Sequence, residues 1–354
     1  MRDSGHTQPS RGGPPPSSGF RPWLDAWAQA AYAEAGFWRT ASPADHFRTA
    51  STSTTALTWL IAQLLTDHPE VDTVIELGAG DGRLLANLDD LADQSHPPGS
   101  GGRRRLVGID IRSRPADLPA GVSWVRDLFD VGTGGWTTGS ATGVLDALDT
   151  PALVVCVEWL DDLPCAVATR VEDRLRWVEV DPSGRERVGA PADRDATEWA
   201  SRWAPWSQRV EIGLTRDRAW AAACAQLRRA GGLALLVDYG HLSGRRPVGG
   251  SLAAYRHGRQ VELRPAPDRN VTAAVAVDSL AEAGHLLGAR TVLRARQSEV
   301  VDRGGEPPRP DDPLADLVRR SHRAAAGSTS VWGDQWWLLQ SVPAADHSPA
   351  GCGR

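Results

Sequence analysis

The stretch that decides the fold is VIELGAGDGRLLANL, residues 74–88. It begins with apolar and β-branched residues, continues through three glycines at Gly78, Gly80 and Gly82, and ends in an amphipathic helical pattern. This order predicts a buried strand, a tight turn and the start of a helix. Because glycine lets another group approach the backbone closely, the stretch also predicts a ligand-binding turn.

The glycine spacing argues against two familiar ligand classes. The dinucleotide fingerprint places its third glycine one position later, where this chain has Arg83. A P-loop ends in Gly-Lys-Ser or Gly-Lys-Thr, and this chain contains no lysine. Glu76, two residues before the first glycine, favours a ligand that carries positive charge over a naked pyrophosphate. A glycine-rich connection that binds nothing is the alternative.

S-adenosyl-L-methionine (SAM) fits these requirements, because it carries an ammonium and a sulfonium and has no phosphate. The run Glu76-Leu77-Gly78-Ala79-Gly80-Asp81-Gly82 resembles the E-x-G-x-G-x-G motif of Rossmann-like SAM-dependent methyltransferases. We therefore predict SAM as the cofactor. A nicotinamide oxidoreductase is a second reading, which Glu76 and Arg83 disfavour.

Composition limits the remaining classes. The chain has 354 residues, of which 41% are hydrophobic and 23% charged, as in globular proteins. Its net charge of −5 gives no support to nonspecific nucleic-acid binding. The cysteines lack metal-ligand spacing, and the chain shows neither a secretory leader nor an apolar run long enough to span a membrane. We predict a cytoplasmic protein without a metal site or a nucleic-acid partner.

Strand-like and helix-like patterns alternate along the chain. This alternation predicts an α/β protein with a Rossmann-like, doubly wound, mostly parallel seven-stranded sheet. The predicted strands are residues 71–77, 105–110, 121–128, 152–160, 233–240, 290–297 and 336–342. Ligands in such sheets bind outside the carboxyl ends of the strands.

One domain is predicted over residues 20–345. It begins with a helical extension at 20–40, and between strands four and five it carries an inserted hairpin and helical segment, about residues 165–215, interpreted as a substrate cap. Residues 250–265 are predicted to be irregular. Residues 1–19 and 346–354 are predicted to be a disordered and a flexible tail.

Acidic residues recur at the predicted strand ends. Glu76 is expected near the ammonium of SAM, although it could also cap a helix. Asp110 is expected to accept hydrogen bonds from both ribose hydroxyls, unless it is a surface turn residue. For Asp127, contact with the adenine amino group and an ordinary turn role are equal alternatives.

Further motifs follow the glycine turn in a fixed order. HFRTAST, VIELGAGDGRLL, VEWLDDLP, LLVDYG, GSLAAYRHGRQ and NVTAAVAVD together resemble the MidA-like family of SAM-dependent methyltransferases, over about residues 37–285. Mitochondrial relatives in that family methylate arginine on a subunit of respiratory complex I and assist its assembly. The resemblance implies a methyltransferase domain, SAM as cofactor and a protein substrate that presents arginine.

The resemblance also implies an acceptor site after strand four. Glu158 and Asp161 match the family's N-E-x-x-D-x-L-P segment, and Asp238 matches its D-Y-G. These three residues are the implied catalytic residues. Glu158 and Asp161 could hold a guanidinium by bidentate pairing, while a helix N-cap is the ordinary alternative for Asp161.

Three departures separate the chain from the family pattern. Val157 replaces an asparagine, Asn270 an aspartate and Ala274 a histidine. An amide, a carboxylate and an imidazole are thereby lost. A non-catalytic SAM-binding assembly factor is therefore the alternative to an active enzyme.

Overall fold

The computed structural model of the protein describes residues 19–40, 55–95, 103–303 and 335–345. The HFRTAST segment and almost all of the two predicted tails lie outside these ranges. The bounds of the strands and helices follow in chain order.

The strands are β1 (Arg21–Pro22), β2 (Thr73–Leu77), β3 (Arg105–Asp110), β4 (Val122–Arg126), β5 (Phe129–Asp130), β6 (Gly135–Trp136), β7 (Ala152–Val157), β8 (Ala166–Val171), β9 (Arg174–Val180), β10 (Glu186–Pro191), β11 (Arg209–Ile212), β12 (Gly232–His241), β13 (Ala253–Arg256), β14 (Arg259–Val261), β15 (Asn270–Thr272), β16 (Val275–Ala276), β17 (Arg290–Arg296) and β18 (Gln335–Val342). The helices are α1 (Trp23–Tyr32), α2 (Phe37–Thr40), α3 (Thr55–Asp67), α4 (Arg83–Ser95), α5 (Ser140–Asp146), α6 (Arg194–Trp203), α7 (Leu214–Leu227), α8 (Val277–His285) and α9 (Gln297–Arg303).

The central sheet has the strand order β17-β18-β12-β7-β2-β3-β4, with the short β16 beside β12. Neighbours from β12 to β4 are parallel, and β18 runs antiparallel to both β12 and β17. The predicted α/β fold with a mostly parallel sheet is confirmed. The carboxyl ends of β2, β3, β4, β7 and β12 therefore meet at one edge.

Strand β7 shows why the sheet is covered on both faces. All six of its residues are buried. Val154 and Cys156 join one apolar cluster, while Leu153 and Val155 join the other. Side chains alternate between the two faces of a strand, so an unbroken apolar run needs an apolar layer on each side.

A second, antiparallel sheet consists of β1 and of four strands that lie between β7 and β12 in sequence. Its order is β1-β9-β8-β11, and β10 pairs with β9. Helix α1 packs against this sheet, where Trp23 and Trp27 share an apolar cluster with Val167 and Val178. The N-terminal extension and the inserted segment thus form one layer, and the role of about 165–215 as a cap stays a prediction.

Two local predictions were wrong. Residues 250–265 contain the hairpin of β13 and β14, and β13 also pairs with β15. The sequence did not reveal this, because β15 lies beyond the segment and only there completes the small sheet. The predicted helix over 20–40 is two helices, since the chain turns between α1 and α2, where the Gly36 amide donates to the carbonyl of Ala33 at 2.7 Å.

Candidate active site

The glycine turn joins β2 to α4. Gly78, Gly80 and Gly82 all adopt left-handed backbone conformations, with φ of 69°, 61° and 71°. A Cβ on Gly78 would lie 2.3 Å from Cδ1 of Trp159, whereas the nearest atom to a Cβ on Gly80 would be Nη2 of Arg112 at 3.5 Å. Packing therefore closes the turn at Gly78, whereas a Cβ on Gly80 would make only ordinary van der Waals contact, so room remains beside Gly80 for a ligand.

Asp110 connects the end of β3 to this turn. Its Oδ2 accepts a hydrogen bond from the Gly80 amide at 2.8 Å, and its Oδ1 accepts one from the Arg112 amide at 2.8 Å. Burial raises the pKa of Asp110, and the Arg112 guanidinium and these hydrogen bonds counter that effect. The predicted ribose-binding acid is thus placed beside Gly80.

Glu76 lies at the end of β2 and is buried. Its Oε2 has no hydrogen-bond partner among the described residues. Burial raises the pKa of Glu76 well above its ordinary value, and repulsion from Asp81 and Asp110 adds to the shift. A buried carboxyl that lacks a donor fits a cationic group, so this observation matches the ammonium of SAM.

Asp127 is engaged by the protein itself. Its carboxylate accepts hydrogen bonds from the amides of Leu128, Thr138 and Ala141 and from the hydroxyl of Thr137, at 2.8–3.1 Å. Burial acts to raise its pKa, but the hydrogen bonds from Ala141 and Thr138 outweigh it, and the pKa is lowered. In this structure Asp127 holds the turn before α5, which is one of the two alternatives predicted for it.

An aromatic cluster stands next to the glycine turn. The rings of Trp136 and Trp159 are parallel, 6.1 Å apart between centroids, and Phe129 meets both rings edge-on. Trp159 is the residue that would collide with a side chain at Gly78. The cluster therefore links the glycine turn to the segment that follows β7.

That segment, residues 158–164, is called the acidic loop below. Glu158 opens it with a φ of 47°, a conformation that residues other than glycine rarely adopt. Its amide donates to the Val237 carbonyl at 2.9 Å, and its Oε1 accepts a hydrogen bond from Gln335 at the start of β18. A non-glycine residue held in this region by surrounding contacts is characteristic of functional sites.

Asp238 lies under the acidic loop at the end of β12. Its Oδ2 accepts the amides of Leu160 and Asp161 at 3.1 and 3.2 Å, and its Oδ1 accepts the Tyr239 amide. Burial raises the pKa of Asp238 well above its ordinary value, and the charges of Asp161 and Glu158 raise it further. Asp238 is fully buried, so in this structure it orders the loop from below.

Asp161 is the central acid of the loop. Its Oδ2 accepts the Thr272 hydroxyl at 2.7 Å, and its Oδ1 has no hydrogen-bond donor among the described residues. Burial raises its pKa, whereas the Thr272 hydroxyl and the charge of Arg216 lower it.

Asp162 gives a physical reason for one departure from the family pattern. The side-chain amide of Asn270 donates to Oδ1 of Asp162 at 2.7 Å, and both residues are buried. An aspartate at position 270 would set two carboxylates against each other out of contact with water. The Tyr32 hydroxyl reaches the same place and donates to the Asp162 carbonyl at 3.2 Å.

Three neighbours of the site were not predicted from the sequence: Arg216, Tyr32 and Gln335. A signal existed for Arg216, since Arg216, Trp220, Ala223 and Leu227 recur at helical spacing along an otherwise apolar face. Tyr32 and Gln335 come from distant parts of the chain and carry no local signal. His257 lies exposed in the turn between β13 and β14.

The described ranges show neither a metal-binding cluster nor a membrane-spanning helix. Within the described ranges, no group of three or more His, Cys, Asp or Glu side chains is arranged to hold a metal ion. None of the helices in those ranges has the length and apolar character required to cross a membrane.

Comparison with known proteins gives a family and a fold. A family model described as "Putative S-adenosyl-L-methionine-dependent methyltransferase" matches residues 58–294, more than half of the chain. None of the curated proteins matches. A COG1565 superfamily member from Burkholderia thailandensis, solved with bound S-adenosyl-homocysteine, is 20% identical, with 92% of this chain and 88% of that chain covered and a TM-score of 0.67. A native structure of a COG1565 superfamily protein from the same organism gives 20% identity, the same coverage and a TM-score of 0.66.

Proposed function

The chain belongs to the family of SAM-dependent methyltransferases, and on that premise we propose that its methyl acceptor is a cationic nitrogen group, best matched by an arginine side chain of a protein. The enzyme uses SAM as its cofactor, which supplies an electrophilic methyl group when bound. The observation that carries the proposal is the acidic loop, because Glu158, Asp161 and Asp162 lie at the same sheet edge as the glycine turn.

The cofactor half of the site consists of the ends of β2 and β3. We assign the N-terminus of α4 to the carboxylate of SAM, because helix N-termini favour anions. The amides of Gly78, Gly80 and Gly82 already donate within the protein, so the glycines shape the turn and do not bind the carboxylate themselves. Glu76 is assigned to the ammonium and Asp110 to the ribose hydroxyls. Asp127 is left out of direct contact, because its carboxylate accepts four hydrogen bonds from the protein and a carboxylate has about four acceptor positions. Asp110 accepts three, so one position remains for a ribose hydroxyl.

The acceptor half consists of the acidic loop. Buried carboxylates without partners are costly, and a cationic side chain that binds there relieves this cost. Asp161 offers an oxygen without a donor. A planar guanidinium can meet two carboxylate oxygens at once, which fixes its orientation as well as its position.

The acceptor nitrogen must lose one proton as it gains the methyl group. Glu158 is half-buried and contacts Gln335, so its carboxylate can receive that proton and pass it to solvent. Alignment of the two reacting groups accounts for most of the rate in such a transfer, in favourable cases about 7–11 kcal/mol. The contacts of Asp238 with the loop amides provide this alignment.

A SAM-binding assembly factor without catalysis is the second candidate. The replacements at Val157 and Ala274 favour it, because they remove two polar side chains of the family pattern. Asn270 does not, because it donates to Asp162. A cytoplasmic location stays a prediction from the sequence.

Labelling tests the proposal. The purified enzyme is incubated with lysate and SAM that carries a tritiated methyl group, and the labelled residue is identified after hydrolysis. We expect label on arginine, lost in Glu158→Gln and kept in Glu172→Gln, a matched change at a second acid with positive φ in an exposed turn. Label on another residue type contradicts the arginine assignment, and SAM binding without any label supports the assembly factor.

A further inference from the structure

Arg216 is a cation buried beneath the acidic loop. It lies in the first turn of α7 and is 2% exposed, and its guanidinium stands 5.5 Å from the centre of the Trp27 ring on α1. Charged side chains are almost never fully buried unless they are paired. Its partners therefore indicate what it does.

The guanidinium of Arg216 donates to two segments of the chain. Its Nε donates to the Leu163 carbonyl at 3.0 Å and its Nη2 to the Asp161 carbonyl at 2.7 Å. Its Nη1 donates to the Ala273 carbonyl at 2.8 Å, and the Ala273 amide in turn donates to the Asp161 carbonyl at 3.1 Å. One side chain thus ties the acidic loop to the segment after β15.

These hydrogen bonds all end on backbone carbonyls. Arg216 consequently forms no direct ion pair among the described residues, and its charge acts on several carboxyls at once. It lowers the pKa of Asp161, Asp162 and Asp238, against the burial that raises all three. Removal of the charge leaves burial and mutual repulsion unopposed.

We propose that Arg216 is a positioning residue for methyl transfer, which holds the acidic loop by its backbone and supplies the positive charge that keeps the loop's carboxyls ionisable. This inference rests on the proposed function, since the carboxyls matter to the reaction only if they hold the acceptor. It does not require Arg216 to touch the acceptor.

The same charge is felt by several other groups. The titratable and charged side chains that face Arg216 or the acidic loop from the elements packed around them are Tyr32, Asp110, Glu158, Cys165, Arg209, Glu211, Tyr239 and His241. Most of these are acids or groups neutral at pH 7, whereas the positive charge of Arg216 acts on Asp161, Asp162 and Asp238 alike. Arg209 is paired with Glu186, which limits its effect.

Two variants separate the charge of Arg216 from its contacts. Arg216→Gln keeps an amide donor and loses the charge, whereas Arg216→Lys keeps the charge and loses the planar fork. Arg104→Gln is the matched control, because Arg104 also donates to two backbone carbonyls, those of Val71 and Leu65, but near the opposite end of the sheet. Each protein is checked by thermal unfolding and by calorimetric SAM binding.

The main readout is the titration of the aspartate carboxyls by carbon-13 NMR, assigned with Asp161→Asn and Asp162→Asn. We expect Arg216→Gln to raise the pKa of these carboxyls by about one unit or more, the usual effect of a lost opposite charge nearby. The acid limb of the methyl-transfer rate should move to higher pH by the same amount. Arg216→Lys should restore the pH dependence, and Arg104→Gln should leave it unchanged.

Unchanged carboxyl titrations in a folded Arg216→Gln protein overturn the inference. If the Gln variant does not fold, Arg216→Lys decides. A folded Lys variant whose carboxyl pKa values are raised overturns the inference, because the retained charge then does not hold them down. The carboxyl titration requires no acceptor. A shifted titration without methylation of a cationic group therefore counts against the proposed function and not against Arg216.

Discussion

The two halves of the crevice handle charge in different ways. In the cofactor half, the room for a ligand lies beside Gly80, and the acids Glu76 and Asp110 stand one to a strand. In the acceptor half, three acids crowd into one loop above Asp238, and a single buried arginine offsets them. Under the proposed function, backbone shape selects the cofactor, whereas concentrated side-chain charge selects the acceptor.

Asp127 and Asp161 show what decides the role of a strand-end acid. Asp127 accepts donors from the protein on both oxygens, and its pKa is lowered. Asp161 retains an oxygen without a donor, and its pKa is raised. Both come after strands of the same sheet, so the number of acceptor positions that the protein already fills, rather than position in the fold, separates a structural acid from an acid available to a ligand. Asp127 accepts four hydrogen bonds from the protein, whereas Asp110 accepts three.

The largest effect is expected from Gly80→Val. A branched side chain would fill the room beside the turn and force a β-branched residue into a left-handed conformation, so SAM affinity should fall by about 10²-fold or more. Calorimetry measures the affinity. Gly143→Val in α5, where an added Cβ meets nothing within 4 Å, is the control. Unchanged SAM affinity in a folded Gly80→Val protein would show that the cofactor does not bind at this turn.

Glu158→Gln should distinguish the acceptor half from the cofactor half most clearly, because it should affect methyl transfer and not SAM binding. Loss of a positioned charge should slow single-turnover methyl transfer by about 10²-fold. SAM affinity should stay within about threefold of wild type, because Glu158 belongs to the acceptor half. Glu172→Gln should change neither quantity. Equal losses in SAM binding and methyl transfer would show that Glu158 contacts the cofactor. They would contradict the division of the site into a cofactor half and an acceptor half.

Asp110→Asn should have an intermediate effect confined to the cofactor half. The carboxylate now accepts the amides of both Gly80 and Arg112, and an asparagine can accept with only one of its two terminal atoms. We expect SAM binding to weaken by roughly 1.5–3 kcal/mol, the scale of a hydrogen bond to a charged group. Calorimetric titration checks this value. A loss of turnover with intact SAM binding would place Asp110 in the acceptor half instead.

Asp127→Asn should have the smallest effect on ligand binding, with SAM affinity changed by less than about threefold. Its effect should appear in stability. The folded-state pKa of Asp127 is lowered, so the stabilisation is present above the ordinary aspartate pKa and disappears as pH falls through the folded value. Chemical unfolding between neutral and acidic pH should show this dependence in wild type and lose it in the variant. A large loss of SAM affinity would instead indicate that Asp127 contacts the adenine amino group.

The central sheet could be predicted from the sequence because its inner strands β2, β7 and β12 carry apolar runs and β3 ends at the predicted residue, Asp110. The glycine turn was predictable for the same reason, since its signal is local. The small sheet of β13, β14 and β15 was not, because its pairing depends on residues beyond the segment.

The contacts of the acceptor half could likewise be predicted only in part from the sequence. Glu158, Asp161 and Asp238 were found through the resemblance to a family, and the structure brings all three together. Arg216, Tyr32 and Gln335 reach them from α7, α1 and β18. Contacts across such sequence distances depend on tertiary packing, which no local pattern records.

The most direct test of the central claim compares two small probes of the same shape. Ethylguanidinium is cationic and ethylurea is neutral, and the binding of each to the enzyme saturated with S-adenosyl-homocysteine is measured by NMR titration. We expect ethylguanidinium to bind at least about tenfold more tightly than ethylurea. We expect Glu158→Gln to reduce this ratio of the two affinities. Equal binding of the two probes to the wild-type enzyme would contradict the claim that charge in the acidic loop selects the acceptor.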